Sequence, residues 1–359
     1  MTPAAARQDM ERPSRPMLSD FGGFPPREPD VLHRVSELAE LQRIAADCSA
    51  QRRPMRARCF AHSMNGMAVP RPGETLIDLS GIRHIAWDGG ASITAGAGLS
   101  VWEVDQYVRR FGWKLPMVND GGAGAPSVGG FVSAGGIGQG AMYFGGFWET
   151  VGKLTLVTAD GQVRRLGRDD ALFPWLFGSL GTLGLVYEAS LDLVPIGAAR
   201  PKRVPDVATM PAGREAVWPA HMWLTLFVSE KQRSQAMADL SALAGAHPDV
   251  WDDRGAYEYF MLRRAFSPPL VYGGDGDFVA LGIWGDQTPD DHDRSRYQAM
   301  EAEFQAMVET NGYRRYFQTE LIRTRRTLDR YVGGACAARY AVIKAELDPD
   351  GLLNAFMQP

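Results

Sequence analysis

The stretch from Asp120 to Gly146, DGGAGAPSVGGFVSAGGIGQGAMYFGG, constrains the fold most, because it carries too little side-chain mass to build a core of its own. Glycine admits φ values closed to other residues and lets another group approach closely, so such a run presents backbone N–H groups for some use beyond packing. Two more glycine-bearing loops, Arg58 to Gly66 and Gly178 to Gly184, adjoin predicted strands in the same part of the chain. Any one of them reads simply as a turn. Three together, with Ser127 to Gly140 as the third, shift the reading toward donors converging on an anion. Gly136, Gly138 and Ala141 also match the loose dinucleotide fingerprint G-x-G-x-x-A. A Rossmann unit, however, needs a strand before that motif and a helix after it, whereas here a loop precedes it and Gly145-Gly146 interrupt the segment on its C-terminal side.

A chain of 359 residues suggests two compact units. The expected division is an arm over 1–30, a first unit over 31–195, a second over 196–325 and a C-terminal return over 326–359. Val31 to Gln51 places Val35, Leu38, Leu41 and Ile44 at helical spacing, with Ser36 available as a cap. A second helix is expected from Ser100, with Val101, Val104, Val108 and Phe111 on one face. KLTLVTADGQVRRL reads as two strands around an Asp160-Gly161 turn. Pro195 to Pro219 reads as a linker. In the second unit MWLTLFV, DFVALGIWG and GYRRYFQTEL read as strands, with helices from Ser229 and over 289–310. Alternation puts Tyr313, Arg315, Phe317 and Thr319 on one face of the last strand and Arg314, Tyr316 and Gln318 on the other, so only one set can face a site. A helix from Leu328 then runs into the turn DPDGLLNAF.

A net charge of -4 argues against nucleic acid or an acidic membrane as partner. No apolar run approaches the roughly 20 residues that span a bilayer, and the opening arm carries charges and prolines where a signal peptide has an apolar block. Cys48, Cys59 and Cys336 form no CxxC pair, so neither a disulfide framework nor a metal site is expected. These features lead us to expect a cytoplasmic monomer or homodimer acting on a small molecule.

Several segments, in order, carry a resemblance. ARCFAHSMNG matches A-R-G-x-G-H-S-x-x-G, and TLIDLSGIRHIAWDGGASITAGAGLSVWEVDQYVRRFGWKLP matches the strands and helix that come after it. PSVGGFVSAGGIG matches T-V-G-G-x-x-S-x-x-G, GSLGTLGLVYEASLDLVP matches G-x-L-G-x-x-G-I-V, and DPDGLLN resembles D-P-x-x-x-L-x-P. Over roughly Val31 to Pro195 and the last 30 residues the chain resembles the FAD-binding domain of the vanillyl-alcohol oxidase / p-cresol methylhydroxylase (PCMH-type) family, in a cytokinin dehydrogenase-like form.

The resemblance implies an α+β fold: a two-subdomain PCMH-type FAD-binding domain with a small α/β cap over the substrate. It implies FAD, held in the first loop by Arg58, Cys59, Phe60, Ala61, His62, Ser63, Gly66 and Met67. In the glycine stretch the implied contacts are Asp120, Ser127, Val128, Gly130, Ser133 and Gly138; beyond it they are Gly184, Val186 and Asn354. His62 matches the histidine that many members join covalently to the flavin 8α-methyl; the other reading is an ordinary loop histidine. Cys59 and Ala61 stand where the motif has glycine, and Ala125 stands where some relatives have a second anchoring cysteine, so a second link is excluded. Asp120 is the one carboxylate placed to act as the base, or else a turn cap. Tyr257, Glu258, Tyr259, Trp284, Tyr313, Arg315 and Tyr316 are the roof candidates, with Glu258 and Tyr316 assigned catalytic roles.

The implied activity is hydride transfer from an alcohol or amine, such as an intermediate of specialised metabolism, to flavin N5, with reoxidation by oxygen or another acceptor. A redox-neutral cyclase or isomerase, and a non-catalytic flavin-binding protein, are the alternatives.

Overall fold

The computed structural model describes residues 16–64, 66–119, 125–138, 140–196, 207–209, 221–248, 256–261, 267–273, 276–286, 295–316 and 325–354. Helices and sheets are mixed along the chain, an α+β arrangement. Strands β1 (Val31–Arg34), β2 (Met55–Arg58) and β3 (Thr75–Asp78) form a parallel sheet in the order β1-β3-β2. Helix α1 (Leu38–Ala50) buries Leu41, Ile44, Ala45 and Cys48 against Met55 and Ile77.

The helix expected from Val31 therefore starts seven residues later. Val31, Leu32, His33 and Arg34 pair instead with Thr75–Asp78, and the ladder wins over a pattern that suits either period. Ser36 does not cap the helix; Glu37 occupies the cap position, and the Ser36 N–H donates to Glu40 Oε2 at 3.3 Å.

The second sheet is antiparallel, in the order β11-β4-β5-β9-β7-β8. Its strands are β4 (His84–Ala86), β5 (Ser92–Gly96), β7 (Val151–Val157), β8 (Val163–Gly167), β9 (Leu185–Asp192) and β11 (Val207–Thr209). The short β6 (Trp113–Lys114) pairs with β10 (Val194–Pro195). Part of the expected linker is thus an edge strand, since Val207–Thr209 pairs with β4; residues 197–206 and 210–220 lie outside the described residues.

Helix α2 (Val101–Arg109) starts where Ser100 is expected to cap it, through a capping box in which Ser100 and Glu103 each accept the other's backbone N–H. Beyond it come the short helices α3 (Val128–Ala134), α4 (Ala141–Phe144), α5 (Phe147–Thr150) and α6 (Phe173–Leu176). Ile93, Ala95, Val104, Val128, Phe147, Leu154 and Leu191 are among the side chains that fill the core they share with this sheet. At about 25 cal/mol per Å² of buried apolar surface, that core is the main stabilising term.

The third sheet has four antiparallel strands, β12 (His221–Ser229), β13 (Ala256–Met261), β14 (Phe278–Asp286) and β15 (Arg314–Arg315), in the order β13-β14-β12-β15. Its two faces serve different cores. Leu224, Leu226, Val228, Val279, Leu281 and Ile283 pack on α7 (Arg233–Ala246) and α8 (Ser295–Asn311). Phe227, Phe278, Ala280 and Tyr316 join the core of the first unit.

That alternation decides between the two faces of the last strand. Tyr313 packs with α7 and α8 and donates its hydroxyl to Asp239 at 2.7 Å, and the buried Arg315 pairs with Glu301. Tyr316 points the other way. Gln318, Phe317 and Thr319 lie outside the described residues.

Helices α9 (Arg325–Val332) and α10 (Gly334–Leu347) break at Gly333 and return the chain to the first unit. There Lys344 Nζ donates to the Thr182 carbonyl at 2.7 Å, to Asp348 Oδ2 at 2.5 Å and to the Leu353 carbonyl at 3.1 Å. Among the described residues no helix is long and apolar enough to cross a membrane, and no cluster of His, Cys, Asp or Glu could hold a metal ion.

Candidate functional site

A single cleft brings the three glycine-bearing loops together. β2 delivers the first loop, and Arg58, Cys59, Phe60, Ala61, His62, Ser63 and Met67 line one wall. The N-terminal turn of α3 supplies Ser127 and Gly130, its later part Ser133, and the loop beyond it Gly138. The turn before β9 supplies Leu180, Gly181 and Gly184, and the strand itself Val186. Asn354 enters from the segment after α10 and Tyr316 from the residue after β15.

Two of the residues expected to touch cofactor do not reach the cleft wall. Val128 is fully buried in the core, its N–H held by the Leu99 carbonyl at 2.7 Å. Gly66 turns its N–H away, to Asp20 Oδ2 at 2.7 Å. Asp120 lies outside the described residues, and of Glu258 only the backbone is described, in β13 opposite Leu281. Ala57 opens the first motif, whereas Ala68, Ala97, Asn119, Phe131 and Ile137 line the cleft although nothing in the sequence marks them; the small residues among them carry no signal beyond their size.

The backbone around the cleft is strained. Among the described residues, four other than glycine have positive φ, and three of them border the cleft: Ala61 at 53°, Leu180 at 54° and Asn354 at 44°. At Ala61 and Leu180 this costs on the order of 1–2 kcal/mol, whereas asparagine tolerates the left-handed region, and such outliers collect at sites that use them. Ala61 stands where the motif has glycine, so the loop keeps a glycine-type turn with an alanine in it. Gly181, at φ 74°, could not be replaced so simply, since an added Cβ would lie 2.8 Å from Asn354 Nδ2.

Polar groups on the wall are partly committed to the protein. Ser127 Oγ accepts the Gly130 N–H at 3.1 Å, and Ser133 Oγ donates to the Gly129 carbonyl at 2.8 Å. Arg58, mostly buried, donates to the carbonyls of Ser19 and Ala68 at 2.6 and 3.0 Å. Burial drives the Cys59 thiol up to about 12, against a lowering hydrogen bond with Ser127. Although part of the residue borders the cleft, its sulfur is desolvated and protonated, a packing group rather than a nucleophile.

Asn354 differs. Its Nδ2 donates to the Leu180 carbonyl at 2.7 Å, while Oδ1, in a residue only 4% exposed, has no hydrogen-bond partner among the described residues. A buried acceptor left open costs about 1–3 kcal/mol unless a ligand donor meets it. The alanines and glycines of the wall, its positive-φ turns and an open buried acceptor suit a ligand that approaches the backbone closely and carries its own N–H and O–H groups. FAD is such a ligand, and the residues present fit it. Residues 29–167, from the strand before α1 through the His62 loop and the glycine stretch to the end of β8, match the family model described as an FAD binding domain.

Proposed function

We propose that the protein is an FAD-dependent oxidoreductase that takes hydride from a small-molecule alcohol or amine bound between the cleft and the cap. The match to an FAD binding domain supports the flavin; the positive φ of Ala61 and Leu180 and the open Asn354 acceptor around one cleft are the observation that carries its placement. FAD, when bound, supplies the hydride acceptor.

The chain's own residues do the rest. The first loop and the Ser127 turn would hold the cofactor, and Asn354 Oδ1 would accept a hydrogen bond from one of its hydroxyl or N–H groups. His62, on the cleft wall, is the residue we assign to a covalent tether. Tyr316, 4% exposed and tilted against Phe227 with ring centroids 5.2 Å apart, closes the cleft from the cap side, where it excludes water and orients substrate. Asp120 is the candidate to take the proton from the substrate O–H or N–H; Glu258, paired with Leu281 on the sheet face that meets α7 and α8, is not assigned that role. Oxygen or another acceptor completes the cycle.

The test is anaerobic mixing of the yellow protein with a panel of alcohols and amines. Bleaching by one of them, reversed by air or by an artificial acceptor, is the expected result. Turnover of a substrate without any bleaching would overturn hydride transfer in favour of a redox-neutral reaction.

A further inference from the structure

The N-terminal arm is not a passive tail. An antiparallel bridge between Leu18 and Arg27 folds it back on itself, and inside that bend the Gly23 N–H donates to the Asp20 carbonyl at 3.0 Å. The bend lies along the first loop of the cleft. The Phe21 N–H donates to the Ala61 carbonyl at 2.9 Å and the Gly22 N–H to the Ser63 carbonyl at 3.2 Å. Asp20 Oδ2 accepts both the Gly66 N–H at 2.7 Å and the Ser63 hydroxyl at 3.1 Å. The Phe21 ring stacks on the His62 imidazole with centroids 4.5 Å apart and planes 13° from parallel. The fit is close, for a Cβ added at Gly22 would lie 2.4 Å from the Met64 carbonyl oxygen.

Neither Asp20 nor Phe21 lines the cleft, whereas Ala61, His62 and Ser63 do. The arm therefore contacts the loop without bordering the cleft. We propose that Asp20 and Phe21 are positioning residues for the cofactor loop: the Asp20 carboxylate ties Ser63 and Gly66 to one atom, and the Phe21 ring sets the plane of the His62 imidazole. This rests on FAD being the occupant of the cleft.

The physical need is visible in Ala61, whose positive φ would relax in an unbraced loop. A carboxylate that accepts a backbone N–H and a hydroxyl makes charge-assisted hydrogen bonds, which hold geometry better than neutral ones. A site built in only a fraction of molecules binds its ligand more weakly by that fraction, so a loosened loop lowers affinity without losing any cofactor contact.

The test uses the full chain carrying His62→Ala, in which flavin cannot be tethered, titrated as apoprotein with FAD and followed by flavin fluorescence. Adding Asp20→Ala should weaken FAD binding about tenfold or more, and Asp20→Asn, which keeps an acceptor oxygen, should recover part of the loss. Asp30→Ala serves as the control: Asp30 Oδ2 accepts the Gly73 N–H at 2.6 Å, so it anchors the arm away from this loop and should leave affinity unchanged. Backbone amide exchange over residues 58–66 in the apoprotein with His62 intact should speed up about tenfold or more in both Asp20→Ala and Phe21→Ala.

Unchanged affinity and exchange in the Asp20 variants would overturn the proposal while leaving the FAD reading intact. Tighter binding in Asp20→Ala would overturn it too, because it would make the carboxylate a competitor of the cofactor. A parent protein that takes up no FAD would bring down the functional reading and this inference with it.

Discussion

Lys344→Met should destabilise the protein and loosen its hold on flavin. Lys344 and Asp348 are buried, their side chains 8% and 0% exposed, and the ammonium also holds the carbonyls of Thr182 and Leu353. Methionine keeps the stem and deletes the charge. Removing one partner of a buried ion pair costs about 3–5 kcal/mol. Here the lower end applies, because the N–H groups of Leu352 and Leu353 still reach the Asp348 carboxylate at 2.8 and 2.7 Å. A loss of about 3 kcal/mol lowers Tm by roughly 6–12 °C in a unit of this size. The same contacts place Asn354, so flavin content should fall as well. Adding Asp348→Asn removes the stranded charge and should return about half of the lost stability, which a double-mutant cycle by calorimetry would read as coupling. A drop in Tm below about 2 °C for Lys344→Met, or no recovery in the double variant, would refute the reasoning.

Three further outcomes are expected. Ala61→Val places a β-branched residue at positive φ and should lower flavin occupancy at least tenfold by absorbance ratio, whereas Ala61→Gly should retain it. Glu188 is held below its ordinary value of 4.5, first by its hydrogen bond with His84 and also by Thr155. Its contribution to stability is therefore full above the unfolded value and lost as pH falls through the lower folded one, so Glu188→Gln should flatten the Tm profile below about pH 4.5. With its thiol near 12, Cys59 has about one part in ten thousand as thiolate at pH 8, and iodoacetamide treatment read by mass spectrometry should label it at least a hundredfold more slowly in the folded protein than in urea.

The sequence made much of the cleft legible because its loops are local. Ser127 to Gly138 and Gly184 announce themselves by glycines, Arg58 to Ser63 by the His62-Ser63 pair and its place in the order of segments, and Ser100 by its fitness as a helix cap. What escaped depends on distance. Asp20 meets Gly66 across 46 residues with no periodicity to mark it. β1 reads as helix in the sequence because its partner, Thr75–Asp78, lies far along the chain. Alternation split the strand at Tyr313–Tyr316 into two faces but could not say which core each would meet; the packing of Phe227 and Phe278 against the first unit decides it. The open acceptor of Asn354 is a property of burial, which no residue type reveals.

The most direct measurement is the visible spectrum of the purified protein, with acid precipitation as its second step. The account predicts a flavin spectrum, with the yellow colour in the pellet of the wild type and in the supernatant of His62→Ala. Colour in both supernatants would remove His62 as the tether and keep the cofactor. A colourless protein that FAD cannot reconstitute would contradict the central claim.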